Sequence, residues 1–387
     1  MNNKKGFWQG ALCGALAVII GVGIVSCGWK EDIVSENAEE KLSRMRYLMN
    51  EYFLEEFEEE DLEAGMLKGY VTGLDDPYSV YYDENETKAL METVEGEYSG
   101  VGAVLNQNLE TGVITIINVY EDSPAMKAGL KNGDILYKVE DIEVTGEDLS
   151  EIVTHIKGEK GTEVELSVYR EGVEEPIVVT AIRDEIEIQT VTYKMMEGQI
   201  GYIAVSEFEE KTCGQYEKAI DDLTSQGMKA LIVDLRNNPG GSLSAVCDMA
   251  DRMLKEGLIV YTEDKYGEKQ EYRSTADESF DKPVAVLVNG QSASASEIYA
   301  GALQDHEAAI IVGTQTYGKG IVQSLFDLND GTCLKLTVSE YFTPSGKDIH
   351  GKGVTPDVVV EYEYDEANPE KDNQLETAIE VIKGKVK

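Results

Sequence analysis

After residue 186 the sequence alternates short apolar runs with helical patterns, and this alternation limits the fold more than any other feature of the chain. "KALIVDLR", "KPVAVLVN" and "AAIIVG" are almost continuously apolar, whereas a strand with one wet face would alternate apolar with polar residues. "GQYEKAIDDLTSQG", "SLSAVCDMADRMLKEG" and "SASEIYAGALQDH" fall around these runs and have helical length and spacing. Strands buried on both faces must be covered by helices, so the pattern predicts an α/β fold with a largely parallel sheet. In such sheets the loops after the strand C-termini build the active site.

Three of these loops have unusual composition. "DLRNNPGGS" (234–242) places Gly240 and Gly241 where a strand gives way to a helix, and glycines there let a backbone N–H face a ligand, as an oxyanion hole needs. "NGQSASASEIYAG" (289–301) puts Ser292, Ser294 and Ser296 at a helix start, where a hydroxyl lies near the positive end of the helix dipole. A serine there is also an ordinary N-cap, and the loop alone does not separate the three. "GTQTYGKGIVQ" (313–323) holds Lys319 between Gly318 and Gly320. A lysine in water is almost always protonated at pH 7, but burial lowers its pKa and lets it take a proton from serine. Histidine offers competing chemistry. His306 falls at the far end of the helix that the serines open, about 16 Å away at helical rise, whereas His350 in "GKDIHGKGVTPD" stays open as a member of a Ser-His-Asp triad.

Residues 96–185 form a unit of short β-like runs, "VGAVLN", "VITIINVY", "DILYKVEDIEV", "TEVELSVYR" and "PIVVTAIR", interrupted by the helical "GEDLSEIVTHIKG". The stretch "EDSPAMKAGLKNGDILYKV" resembles the circularly permuted PDZ domains of bacterial proteases. That resemblance implies that "YSGVG", with Gly100, Val101 and Gly102, holds the terminal carboxylate of a peptide. Closely spaced glycines let successive N–H groups converge on an anion, and an open sheet edge can pair an added strand.

The three loops together resemble the C-terminal processing peptidases, tail-specific serine proteases with a Ser/Lys dyad, from about "GLDDPYS" to "GKGVTPDVVVE". The resemblance implies a multi-domain α/β protein with a crotonase-like protease core, an inserted β-rich PDZ domain and an N-terminal helical segment. It implies Ser294 as nucleophile, Lys319 as general base and Gln323 as the group that orients the lysine. The N–H of Ala295, with that of Gly240 or Gly241, would form the oxyanion hole, and no cofactor or metal would be needed. None of the dyad positions departs from the family pattern. The expected units are 1–29 (anchor or signal), 30–95 (helical region and link), 96–185 (PDZ), 186–362 (protease core) and 363–387 (helical tail). The expected activity is endoproteolysis through an acyl-enzyme, upstream of a C-terminus held by the PDZ unit. Two other readings stand beside it: a PDZ adaptor with a silent core, and a hydrolase of small acyl compounds, for which a peptide-tail receptor has little use.

Net charge bounds the partners. With 34 Lys plus Arg against 74 Asp plus Glu, the formal charge is -40, which excludes nucleic acid or an anionic lipid surface as a ligand of the soluble part. The expected partners are proteins or peptides with accessible C-termini, together with a second copy of the chain and a regulator of unassigned identity. The N-terminus differs: Lys4 and Lys5 precede residues 6–28, which carry no charge. That run is long enough to span a bilayer, and the lysines should stay inside, giving a single-pass membrane protein with its catalytic part outside. "IVSC" also resembles a lipobox, which would make Cys27 a lipid anchor; the retained helix is favoured. The remaining cysteines, Cys213, Cys247 and Cys333, are scattered, and no Cys/His cluster has metal spacing. Leu42, Met45, Met49 and Tyr52 mark an amphipathic helix within 31–63, which with "NQLETAIEVIKG" is a candidate dimer element. "GLDDPYSVYYDENE" (73–86) reads as a turn-rich link.

Overall fold

The computed structural model describes residues 18–20, 35–109, 111–275, 280–368 and 370–385. The expected spanning helix and Cys27 therefore lie outside the described residues, apart from Val18–Ile20, a short strand parallel to residues 323–325. No helix among the described residues is long and apolar enough to cross a membrane.

The core sheet has six strands in the order Val191–Met196, Ile200–Val205, Ala230–Asp234, Val284–Val288, Ile310–Gly313 and Val358–Val359. The first pair is antiparallel and the others are parallel. Because successive side chains on a strand point to opposite faces, Leu231 and Val233 pack with Tyr216, Val246 and Tyr299 from three helices on one side. Ala230 and Ile232 pack with Ala378 and Ile382 of the C-terminal helix Asn373–Lys383 on the other. The continuous apolar runs thus have two buried faces. The apolar side of that C-terminal helix covers its own sheet, whereas the helix Glu36–Tyr52 leaves Leu42, Met45 and Tyr52 exposed.

A second, mixed sheet flanks the core and was not foreseen. Its central strand, Cys333–Phe342, pairs antiparallel with Ile321–Asp327 on one side and, on the other, with Val80–Tyr82 and then Gly257–Asp264. The supposed link 73–86 therefore contains a strand, followed by the helix Glu84–Glu95, whose start is fixed by reciprocal bonds between Asp83 and Glu86. The helix expected within 31–63 is divided: Phe53 turns to extended backbone, and a second helix, Glu59–Thr72, begins on three acidic residues that suit its positive end.

Strands Ala103–Gln107, Ile114–Val119, Ile135–Val139, Glu163–Tyr169 and Ile177–Ile182 form an antiparallel sheet packed with the helices Pro124–Ala128 and Leu149–Ile156 around a separate core. Its entry and exit run side by side, since Glu97–Gly100 pairs with Asp184–Glu187. The unit is inserted into the chain through this ribbon.

Candidate active site

The helix Ala295–Asp305 begins directly after Ser294, whose backbone has φ +54° and ψ −113°. Such a conformation is costly for a residue with a side chain, by roughly 1–3 kcal/mol, and two bonds hold it. The Ser294 N–H donates to Glu297 Oε2 at 2.9 Å, and the Tyr341 hydroxyl donates to the Ser294 carbonyl at 3.0 Å.

The three serines now differ. Ser292 Oγ donates to the Leu235 carbonyl at 2.8 Å, and Ser296 Oγ donates to the Asn238 carbonyl at 3.0 Å. Ser294 Oγ is buried and makes no hydrogen bond, Lys319 Nζ included. A buried hydroxyl without a partner is rare and asks for an explanation.

The glycine loop packs directly on this serine. A Cβ on Gly240 would stand 2.8 Å from Ser294 Cβ and 3.1 Å from the Ala295 nitrogen. A Cβ on Gly241, at φ +142°, would stand 1.9 Å from the Phe208 carbonyl oxygen. Phe208 brackets the turn, donating to the Gly240 carbonyl at 2.8 Å and accepting from Ser242 N–H at 2.6 Å. The Gly240 N–H is committed to Asn238 Oδ1 at 2.8 Å. Of the two glycine donors expected, Gly240 is therefore already engaged in this structure. Ala295 is the first residue of its helix, so its N–H has no intrahelical acceptor.

Lys319 is only 2% exposed. Its ammonium lies 4.6 Å from the centre of the Tyr78 ring. Burial, reinforced by the charge of Lys335, pulls its pKa down to about 7, against the opposing pull of Asp76 and Glu297. Its loop is tied to the serine helix by the fully buried Glu297 carboxylate. Oε1 accepts from Thr316 Oγ1 at 2.5 Å and Gly318 N–H at 2.7 Å, and Oε2 accepts from Lys319 N–H at 2.8 Å as well as from Ser294 N–H. One carboxylate thus sets the spacing between the two loops. Sequence reasoning missed it, although Ser294-x-x-Glu297 has capping-box spacing. The glycines beside Lys319 give way to the 350–353 backbone: a Cβ on Gly320 would come within 2.4 Å of the His350 nitrogen.

Gln323 is buried, and its amide donates to Thr337 Oγ1 at 3.4 Å. Neither histidine alternative reaches Ser294: His306 Nε2 bonds the Leu258 carbonyl at 2.7 Å, and His350 is exposed. No cluster of metal-binding side chains occurs among the described residues.

In the inserted unit Gly100 and Val101 line a cavity of about 120 Å³ with Ala103, Leu105, Val153 and Ile156. Gly102, at φ +76°, lies beside Ser123, and its carbonyl accepts from Tyr120 N–H. The cavity is apolar, lies between a strand and a helix, and has the glycine segment at its end.

Comparison with known proteins agrees with this organisation. The profile "Peptidase family S41" matches residues 199–360, "PDZ domain" matches 115–170, and "Activating protease CtpB N-terminal domain" matches 28–87. The chain is 39% identical to a carboxy-terminal-processing protease of Bartonella bacilliformis over 79% of its own length and 70% of the relative's. It is 36% identical to the carboxy-terminal processing protease CtpA of Bacillus subtilis, covering 86% of this chain and 71% of that one. A solved S41 protease structure from Bacteroides fragilis has the same fold, with TM-score 0.51 and 18% identity over 82% of this chain and 90% of that chain. The chain belongs to peptidase family S41 and is a carboxy-terminal processing serine protease with a PDZ domain.

Proposed function

We propose that Ser294 is the nucleophile and Lys319 the general base of a Ser/Lys dyad that cleaves polypeptides whose C-termini are held at Gly100, Val101 and Gly102. The observation that carries this is a buried lysine with its pKa near 7, tied through Glu297 to a strained serine whose hydroxyl has no other task. Lys319 Nζ takes the hydroxyl proton as Ser294 Oγ adds to the scissile carbonyl, and the oxyanion is met by the N–H groups of Ala295 and Gly241. The ammonium then protonates the leaving amine. Water, deprotonated by the same lysine, hydrolyses the acyl-enzyme. Ser294 Oγ and Lys319 Nζ are not hydrogen-bonded to each other here, so substrate must bring them together, as catalytic bonds often tighten only in the complex. Gln323, on the strand after the lysine loop, steadies that approach.

A serine-reactive phosphonate is expected to label Ser294 in the wild type and in His350→Ala alike, read by peptide mass. Absence of an adduct would favour the silent adaptor, and loss of labelling in His350→Ala would favour a triad.

The same proposal places the enzyme outside the cytoplasmic membrane, tethered by residues 6–28, because an uncharged run of this length follows Lys4 and Lys5. Protease added to intact cells should then digest the catalytic domain, and its full protection would refute the orientation.

A further inference from the structure

A second lysine stands half-buried near the first, and nothing in the dyad chemistry accounts for it. Lys335 stands in the middle of the second sheet, opposite Leu325 on one neighbouring strand and Val80 on the other. Its Nζ donates to Tyr82 Oη at 2.7 Å and lies 5.2 Å from that ring's centre. Lysine is a poor choice here: it is depleted in strands, and its half-buried ammonium is partnered by a neutral phenol rather than a carboxylate. A leucine or methionine would suit the site better on stability alone.

One short segment joins the two lysines. Residues 76–82 place Tyr78 against Lys319 at one end and Tyr82 against Lys335 at the other. Between them Asp76 Oδ2 accepts from Ser79 Oγ at 2.6 Å, and Ser79 Oγ accepts from Thr337 N–H at 3.1 Å. Thr337 Oγ1 in turn accepts the Gln323 amide. We propose that Lys335 is a positioning residue for the reaction, a second, half-buried ammonium whose charge, linked to Lys319 through the 76–82 segment, favours the unprotonated form of Lys319.

The surrounding groups fit this role. Lys319 is faced by Asp76 from the 76–79 turn, Glu297 from the serine helix and Lys335 from the second sheet. Tyr78 and Tyr82 are each pushed up to about 12 by burial, so both phenols stay neutral beside the lysines. Tyr317 lies near Tyr78 and adds to that rise. Lys335 is faced by Asp76 and Cys333, and burial pulls it down to about 8. Asp76 attracts both ammoniums, and the Glu297 charge is shared among four donors, so Lys335 is the repulsive charge in the cluster. It acts where it is protonated, below about pH 8, which includes the range where Lys319 must lose its proton.

The inference rests on Lys319 being the base, and kcat/KM against pH separates the two questions. The assay uses the full chain and a fluorogenic peptide ending in an apolar residue. Lys335→Met is expected to move the acid limb to higher pH, with activity about threefold lower at pH 6 and equal to wild type above pH 9. Lys335→Arg, which keeps the charge, should leave the limb in place, and Asp76→Asn should move it to lower pH. A limb unchanged in Lys335→Met, or activity reduced equally at every pH, would overturn the inference while leaving the dyad intact. Should Lys335→Met fail to fold, Lys335→Gln makes the same comparison. Turnover in Lys319→Ala would instead remove the dyad on which the inference stands.

Discussion

Ser294→Ala is expected to lower kcat by about 10⁴-fold or more without destabilising the protein. Its Oγ is the only atom removed, and that atom makes no hydrogen bond, so the folded state loses no partner. Cβ, which packs on Gly240, remains, and the bonds from Ser294 N–H to Glu297 and from Tyr341 to the Ser294 carbonyl are made by backbone atoms that alanine keeps. The neighbouring serines should behave in the opposite way. Ser292→Ala and Ser296→Ala each remove one of two donors from a buried carbonyl, Leu235 or Asn238. Ser292→Ala also strips the Asn289 N–H of its acceptor. Each change should cost about 1 kcal/mol of stability while turnover persists. Urea unfolding and initial rates on the same three variants test this, and new C-termini mapped in a treated proteome extend it to natural substrates. If Ser294→Ala retains turnover, or if Ser292→Ala is the inactive variant, the nucleophile is wrong.

The parts of this arrangement that are legible in the sequence are those whose signal is local. A continuous apolar run followed by glycine or serine and then a helical period states a strand end, a loop and a helix start, and all three loops were found in this way. The second sheet was not legible, because its strands acquire their meaning from distant partners. Val80–Tyr82 pairs with residues 333–335, and the Lys335 bond to Tyr82 closes a separation of 253 residues. No periodicity within 73–86 announces that contact, and "DDPY" had every property of a turn. Glu297 was missed for a different reason: at capping-box spacing it looks like a local helix cap, and its bonds to Thr316, Gly318 and Lys319 exist only after the chain has folded. The Asp83/Glu86 capping box was readable and marked a helix inside the supposed link. The glycine turns show both limits together. Their need for positive φ could be guessed, but that Gly241 yields to Phe208 and Gly320 to His350 required the neighbours.

Lys319→Met should move activity and stability in opposite directions. Turnover should fall as steeply as in Ser294→Ala, since the two act as one unit and removing either removes the proton transfer. Stability at pH 7 should rise by about 3–5 kcal/mol. The reason is linkage. Lys319 has a pKa of about 7 in the folded protein, against 10.5 for an unperturbed lysine. Between these values the unfolded chain holds a proton that the folded chain has released, so unfolding takes up a proton and wild-type stability increases with pH across that window. Below about pH 7 both states are protonated, and the folded state bears the whole cost of a buried ammonium. Methionine has nearly the same length and no proton to bind, so the variant lacks this slope. Its advantage should be largest at pH 7 and below and should vanish as the pH approaches 10.5. Urea unfolding at pH 6, 7, 8.5 and 10 gives the two curves. Curves that stay parallel over this range would mean that Lys319 is not held neutral by burial, and the proposed base would lose its physical support. Converging curves with activity lost would identify a residue kept at a cost in stability for the proton it accepts.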